Sequence, residues 1–179
     1  MNELKGNENN KSRLLEIVSL STEYCSVCEN AGEFEKDEFI DRLLNLLPRI
    51  YWEFFDLVPS EIMLEDESYF GSYLEEDYYE SIRRHIESLL GEDDVFLETF
   101  EEDMKYSDTP IGASIAESLS DIFQPLFNFI SIVRDSEGQQ MSDAYIICRE
   151  QFCEYWSQTL CNVLRALNHI KFSNRNDFI

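Results

Sequence analysis

Apolar residues recur three and four positions apart along most of this 179-residue chain. That is the spacing of one helical face. Between Ser12 and Glu29, Leu14, Val18, Ser21 and Cys25 fall on one side, with Ile17, Tyr24 and Cys28 beside them. Ser12 is placed to cap this first helix and Gly32 to stop it. A second stripe, Phe39, Leu43, Leu46, Leu47, Ile50, Phe54 and Leu57, predicts a helix from Lys36 to Val58 that ends at Pro59. Pro48 sits inside it. A proline there removes one backbone hydrogen bond and crowds the preceding turn, so a kink or break is expected. Residues 60 to 77 are acidic and rich in Tyr, and read as a loop with short helical turns. A third helix, Glu75 to Leu90, turns Tyr79, Ile82, Ile86 and Leu89 inward and stops at Gly91.

The stretch GEDDVFLETFEEDMKYSDTP (91–110) reads as a short helical turn followed by an ordered connection. A fourth helix follows Pro110, marked by Ile115, Leu119, Ile122, Phe123, Leu126, Phe129, Ile130 and Val133. Ser107, Asp108 or Thr109 is expected to cap it, with Pro110 in its first turn. Pro125 is expected to bend it near Asp121, whose carbonyl loses its donor. DSEG (135–138) makes a turn. The last stripe predicts one helix of thirty residues, from Met141 to Ile170. On a helical wheel Tyr145, Phe152, Trp156, Leu160, Val163, Leu164, Leu167 and Ile170 share a half-circle, with Cys153 inside it. Cys161 falls off this face, and Arg165, Asn168 and His169 fall opposite.

These elements predict an all-α fold: a single-domain bundle of five to six helices, with proline-kinked helices and one long C-terminal helix. The domain is drawn over residues 11–172, with 1–10 as a disordered N-terminus and 173–179 as a tail. Only 6 Gly and 4 Pro are present, too few for the turns of an all-β sandwich.

Charge narrows the partners. The net charge is −23, and residues 53 to 108 hold 19 acidic against 3 basic residues. Such a surface repels nucleic acid and anionic membrane and suits a basic protein. Apolar runs fall short of the ~18–20 residues of a membrane span. The opening MNELKGNENNKSR lacks the apolar core of a signal peptide. A cytoplasmic protein with reduced thiols is expected.

Candidate chemistry is sparse. Cys25 and Cys28 form a C-x-x-C, but inside a helix rather than at its N-terminus after a strand, and the other three cysteines give no second pair. They read as small buried hydrophobes. Ile82 and Ala166 stand three residues before His85 and His169, so the Glu-x-x-His pairs of di-iron bundles are missing. A Gly-rich phosphate loop and a nucleophile elbow are missing too. No metal, no cofactor and no catalytic residue is assigned, and the reading leans away from an enzyme. One residue breaks the pattern: Arg149 falls within the apolar arc of the last helix. A guanidinium cannot stay unpaired in a core. It is expected to snorkel, to stack on Trp156 or Tyr145, or to meet Glu53 or Asp121. Met104, Lys105 and Tyr106 form a candidate contact surface beside the acidic region, as do Tyr73, Tyr78 and Asp108.

Three stretches are distinctive: YWSQTLCNVLRALNHI (155–170), GEDDVFLETFEEDMKYSDTPIGASIAESLSDIFQPL (91–126) and LLPRIYWEFFDLVP (46–59). Through them the chain resembles domain-of-unknown-function family 5063, over residues 15 to 170. The resemblance implies a bacterial, cytosolic, helical domain and supplies no activity and no catalytic residues.

The function expected on these grounds is a helical interaction module that binds a basic protein through residues 61 to 108. An inhibitor or immunity-type protein that blocks a basic toxin or nuclease shares the electrostatics. A small-ligand binder or enzyme with an interhelical site near Arg149 is the third reading. The oligomeric state is left open.

Overall fold

The apolar stripes become helices in the computed structural model, which describes residues 2–59, 71–98 and 111–173, with side chains from Asn10 onward. The order is α1 (Asn2–Glu29), α2 (Lys36–Asp56), α3 (Glu76–Leu90), strands β1 (Val95–Leu97) and β2 (Gly112–Ser114), α4 (Ile115–Asp135), α5 (Met141–Gln151) and α6 (Ser157–Ser173). Short 3-10 turns cover Ala31–Glu33 and Gly91–Asp94. A five-residue π turn, Phe152–Trp156, joins α5 to α6. Among the described residues the fold is all-α apart from one two-stranded ribbon.

α4 is the central element. It packs against α1, α3, α5 and α6, and α2 is carried between α1 and α6. Its buried face combines Ile115, Leu119, Ile122, Phe123, Leu126, Phe129 and Ile132. The core around it includes Ile17 and Tyr24 from α1, Leu43, Leu47 and Phe54 from α2, Ile82 and Ile86 from α3, and Leu160 and Leu167 from α6. The Tyr24 hydroxyl donates to the Leu119 carbonyl at 2.8 Å, so this buried phenol is satisfied by the helix it packs on.

Several sequence expectations are corrected. α1 already runs from Asn2, so Ser12 lies inside it and does not cap it. Of the kink or break expected at Pro48, the break does not occur: α2 continues past it, as α4 does past Pro125. α4 does not start at Pro110. It starts at Ile115, with Ser114 as its cap: Glu117 N–H donates to Ser114 Oγ at 3.0 Å. The second cap comes from outside the helix. Ala116 N–H donates to Asp94 Oδ1 at 2.7 Å, and Asp94 is only 5% exposed. A carboxylate at this end also meets the positive pole of the helix dipole. The ribbon explains why: β1 and β2 pair antiparallel with Val95 opposite Ser114, which sets the 3-10 turn beside the start of α4. Gly91 does end α3, at φ 60°, a conformation that favours glycine.

The long C-terminal helix is present, with one irregular turn inside it. Its path is helical from Met141 to Ser173, but the π turn interrupts it. Cys148, Phe152, Trp156 and Leu160 are all buried. They are spaced four apart. At about 100° per residue, three such steps rotate an α-helix by ~120° away from its starting face. The π turn absorbs that drift and keeps all four in the core. Phe152 and Trp156 meet edge to face at 4.7 Å between centroids, and Phe54 meets Trp156 at 4.9 Å. The same turn exposes Cys153, Glu154 and Tyr155 in succession, so Cys153 is not on the core face.

Two buried serines, Ser21 and Ser131, have hydroxyls without a hydrogen-bond partner. Asp94→Ala strands a buried N–H and should cost about 1–3 kcal/mol in chemical denaturation. Ser21→Ala, by contrast, removes an unpaired hydroxyl and should raise stability, by about 1 kcal/mol. An unchanged or more stable Asp94→Ala contradicts the α4 cap, and an unchanged or less stable Ser21→Ala contradicts the unpaired hydroxyl on the α1 core face.

Candidate functional site

Tyr155 stands on the outer side of the π turn, 44% exposed, between two grooves. The first has a volume of about 380 Å³. One wall is the first half of α4, with Glu117, Ser118 and Asp121. The other is Glu154, Tyr155, Gln158 and Asn162, and the β-ribbon closes one end with Glu98 and Ala113. Four carboxylates therefore converge on one concave surface. Glu117 and Asp121 share a face because they are four apart on a helix. Glu154 reaches it because the π turn rotates it outward. Glu98 is held by the Asn162 side-chain amide, which donates to Oε1.

The polar network behind the groove is specific. The Tyr79 hydroxyl donates to Asp121 Oδ1 at 2.7 Å, linking α3 to α4. Burial raises the Asp121 carboxyl above its ordinary value, and the Tyr79 hydrogen bond opposes that shift. Burial, with the nearby Cys148, Asp121 and Glu154 charges, pushes the Tyr155 phenol up to about 12. Asp121 and Tyr155 are thus partly desolvated at the wall of the groove. Among the described residues no group of three or more His, Cys, Asp or Glu side chains is placed to hold a metal ion.

The second groove, about 460 Å³, runs along the other half of α4 past Gln124, Pro125, Asn128 and Phe129, facing Ile147, Cys148 and Gln151 of α5. Gly71 and Ser72 form its edge. That edge is pinned by Asn128, whose Oδ1 accepts from Tyr73 N–H at 2.9 Å and Leu74 N–H at 3.2 Å. Among the described residues this groove mixes amide and apolar groups and carries no carboxylate.

The residues singled out from the sequence are placed differently. Tyr73 is exposed beside the second groove, tied through its backbone. Tyr78 is 39% exposed and also packs on α4. Its ring meets Phe127 at 5.7 Å and Phe123 at 6.2 Å, and its hydroxyl donates to Glu29 Oε1 at 2.6 Å. Met104, Lys105, Tyr106 and Asp108 lie outside the described residues. Arg149 meets neither Glu53 nor Asp121. Its Nε donates to the Phe54 carbonyl at 3.1 Å, at the C-terminal end of α2. One turn earlier on α5, the Tyr145 hydroxyl donates to the Leu57 carbonyl at 2.6 Å. Together they satisfy carbonyls that α2 leaves open, at the negative pole of its dipole. Glu53 is taken by Arg13 at 2.9 Å. The space between α2 and α5 is filled by Phe54, Tyr145, Phe152 and Trp156. Cys25 and Cys28 are buried, and burial raises both thiols, Cys28 to about 12. Sequence reasoning missed Glu98, Glu117, Glu154 and Tyr155 as a group. Only the four-residue spacing of the core positions hinted at the turn that unites them.

The Asp121 shift has a sign that can be measured. A raised carboxyl binds its proton more tightly in the folded chain than in the unfolded one. Stability therefore falls as pH rises from the ordinary carboxylate value through the raised one. Carboxyl-detected NMR should give Asp121 a midpoint above ~3.9, and Asp121→Asn should remove that part of the slope. A midpoint at or below the ordinary value contradicts the desolvated groove.

Among the described residues no helix is long and apolar enough to cross a membrane. No curated protein matches this chain. A solved structure is similar: the crystal structure of protein BF1032 from Bacteroides fragilis, 33% identical, covering 90% of this chain and 93% of that one, with a TM-score of 0.77. A family model, described as a domain of unknown function (DUF5063), matches residues 8–173. With the same helical fold and a match over nearly its whole length, the chain belongs to the DUF5063 family.

Proposed function

We propose that this protein is a helical interaction module that binds a basic protein, taking a cationic side chain of that partner into the acidic groove beside Tyr155. The observation that carries the reading is the convergence of Glu98, Glu117, Asp121 and Glu154 on one concave surface. The net charge of −23 supports it, because the field of the whole chain draws a basic partner in before contact. Carboxylates fix the position of an ammonium or guanidinium, and Tyr155 supplies a rigid ring at low entropic cost. The neighbouring groove along α4 takes the uncharged residues that follow the cation in the partner's chain. This moves the contact surface from residues 61–108 alone to a groove built mainly by α4 and the π turn.

The test is capture of partners by tagged protein from lysate, with wild type and a Glu117→Gln, Glu154→Gln double variant side by side. Washes use low salt and then about 1 M salt, where the screening length shrinks to ~3 Å. The expected result is a basic protein retained by wild type at low salt and lost from the double variant. Equal retention by both overturns the reading. Retention by wild type through the high-salt wash, with loss from the variant, marks the tight complex of an inhibitor on a basic target.

A further inference from the structure

On the other side of α6 lies a surface with the opposite character. Leu44, Pro48, Trp52 and Phe55 follow one another along α2 at steps of four, four and three, so they form one stripe. The stripe faces outward: Trp52 is 57% exposed and Phe55 56%. Their rings touch, with centroids 6.4 Å apart, and stand out as a paired aromatic knob. Next to the knob is a hollow. Leu44 and Pro48 of α2 and Leu164 and Phe172 of α6 line a groove of about 590 Å³.

The charges along this face cancel. Arg49 pairs with Glu16 at 3.1 Å, and Lys171 with Asp41 at 2.7 Å. Arg13 lies between Glu53 and Asp56, 2.9 Å from each. Arg165 lines the groove. Three of these cations thus pair with four carboxylates, and Arg165, which donates to the Leu97 carbonyl at 2.8 Å, brings the count to four against four, while the whole chain has 37 acidic and 14 basic residues.

We infer that this face is where a second copy of the chain docks, in a two-fold arrangement that lays α2 against its counterpart. Two molecules of net charge −23 repel one another over most of their surface, and a locally neutral face lets them approach. A two-fold interface must be self-complementary. Knob and hollow lie on one helix stripe, one turn apart, so antiparallel α2 helices seat each Trp52 in the other copy's groove. α2 has 21 residues and is about 31 Å long, enough to carry the ~800 Å² per copy of a stable interface. An exposed aromatic centre with a charged, internally paired rim matches the anatomy of such interfaces. A basic partner finds no excess negative charge here, so the acidic groove remains its place, and the two surfaces can be occupied together.

Sedimentation equilibrium over a range of protein concentrations tests this, with circular dichroism to confirm that each variant folds. Wild type should be a dimer, and Trp52→Glu should weaken dimerisation at least about 30-fold, as loss of a hot-spot aromatic does. Phe55→Glu should act in the same direction. Acrylamide quenching gives an independent reading, because Trp156 is buried and Trp52 is exposed in one copy. Trp52 should become protected as concentration rises. A wild type that stays monomeric at every concentration overturns the inference, as does a dimer unaffected by both variants. Open-ended assembly overturns the two-fold arrangement. A monomeric wild type that captures a different protein through Trp52 gives the face to that protein and not to a second copy.

Discussion

Four core positions spaced four residues apart, Cys148, Phe152, Trp156 and Leu160, impose the constraint on which the rest of this structure depends. All four must face α4 and α2 to fill the interior. In a straight α-helix they fan out over about 120° across twelve residues instead of forming one row. The chain resolves the conflict by widening one turn. The π turn at Phe152–Trp156 leaves Trp156 fully buried, with its ring against Phe54 and Phe152 and its indole N–H donating to the Cys148 carbonyl at 3.3 Å. That hydrogen bond satisfies the buried indole from inside the same helical segment.

The widened turn also shapes the outside. Three consecutive residues, Cys153, Glu154 and Tyr155, project from it. Tyr155 becomes the divide between an acidic groove and an uncharged one. The fold then segregates its charge across α6. Gln158 and Asn162 border the carboxylates on one side; Leu164 and Phe172 border the neutral α2 face on the other. One helix therefore separates an acidic surface from an apolar, charge-balanced one. The stability of the arrangement comes from caps as well as rings. Asp94 closes the start of α4, and Tyr145 and Arg149 close the end of α2.

The helical stripes were legible in the sequence because apolar spacing reports burial directly. Phe39 to Phe54 in α2 and Ile115 to Ile132 in α4 are buried largely as their spacing requires. The ends were less legible. α4 takes its cap from Ser114 and from Asp94, twenty-two residues earlier than Ala116, and no local pattern encodes a partner at that distance. Arg149 was visible as an anomaly, but its answer was a backbone carbonyl, and sequence spacing speaks of side chains and not of open carbonyls at a neighbouring helix end. The groove was hidden for a related reason. The wheel assumed 3.6 residues per turn throughout, and the group of Glu98, Glu117, Asp121 and Glu154 exists only once the π turn and the β-ribbon are in place.

Removing Cys153 tests the role of that turn most directly. The deletion shortens the path from Cys148 to Leu160 by one residue, so an ordinary α-helix keeps both on the core face with a drift of only ~20°. The account predicts a folded, cooperatively unfolding protein in denaturant titration, within about 2 kcal/mol of wild type, with the π turn replaced by α-helix. Collapse of the fold would contradict it, because that is the outcome expected when a residue is removed from a core helix already in regular register.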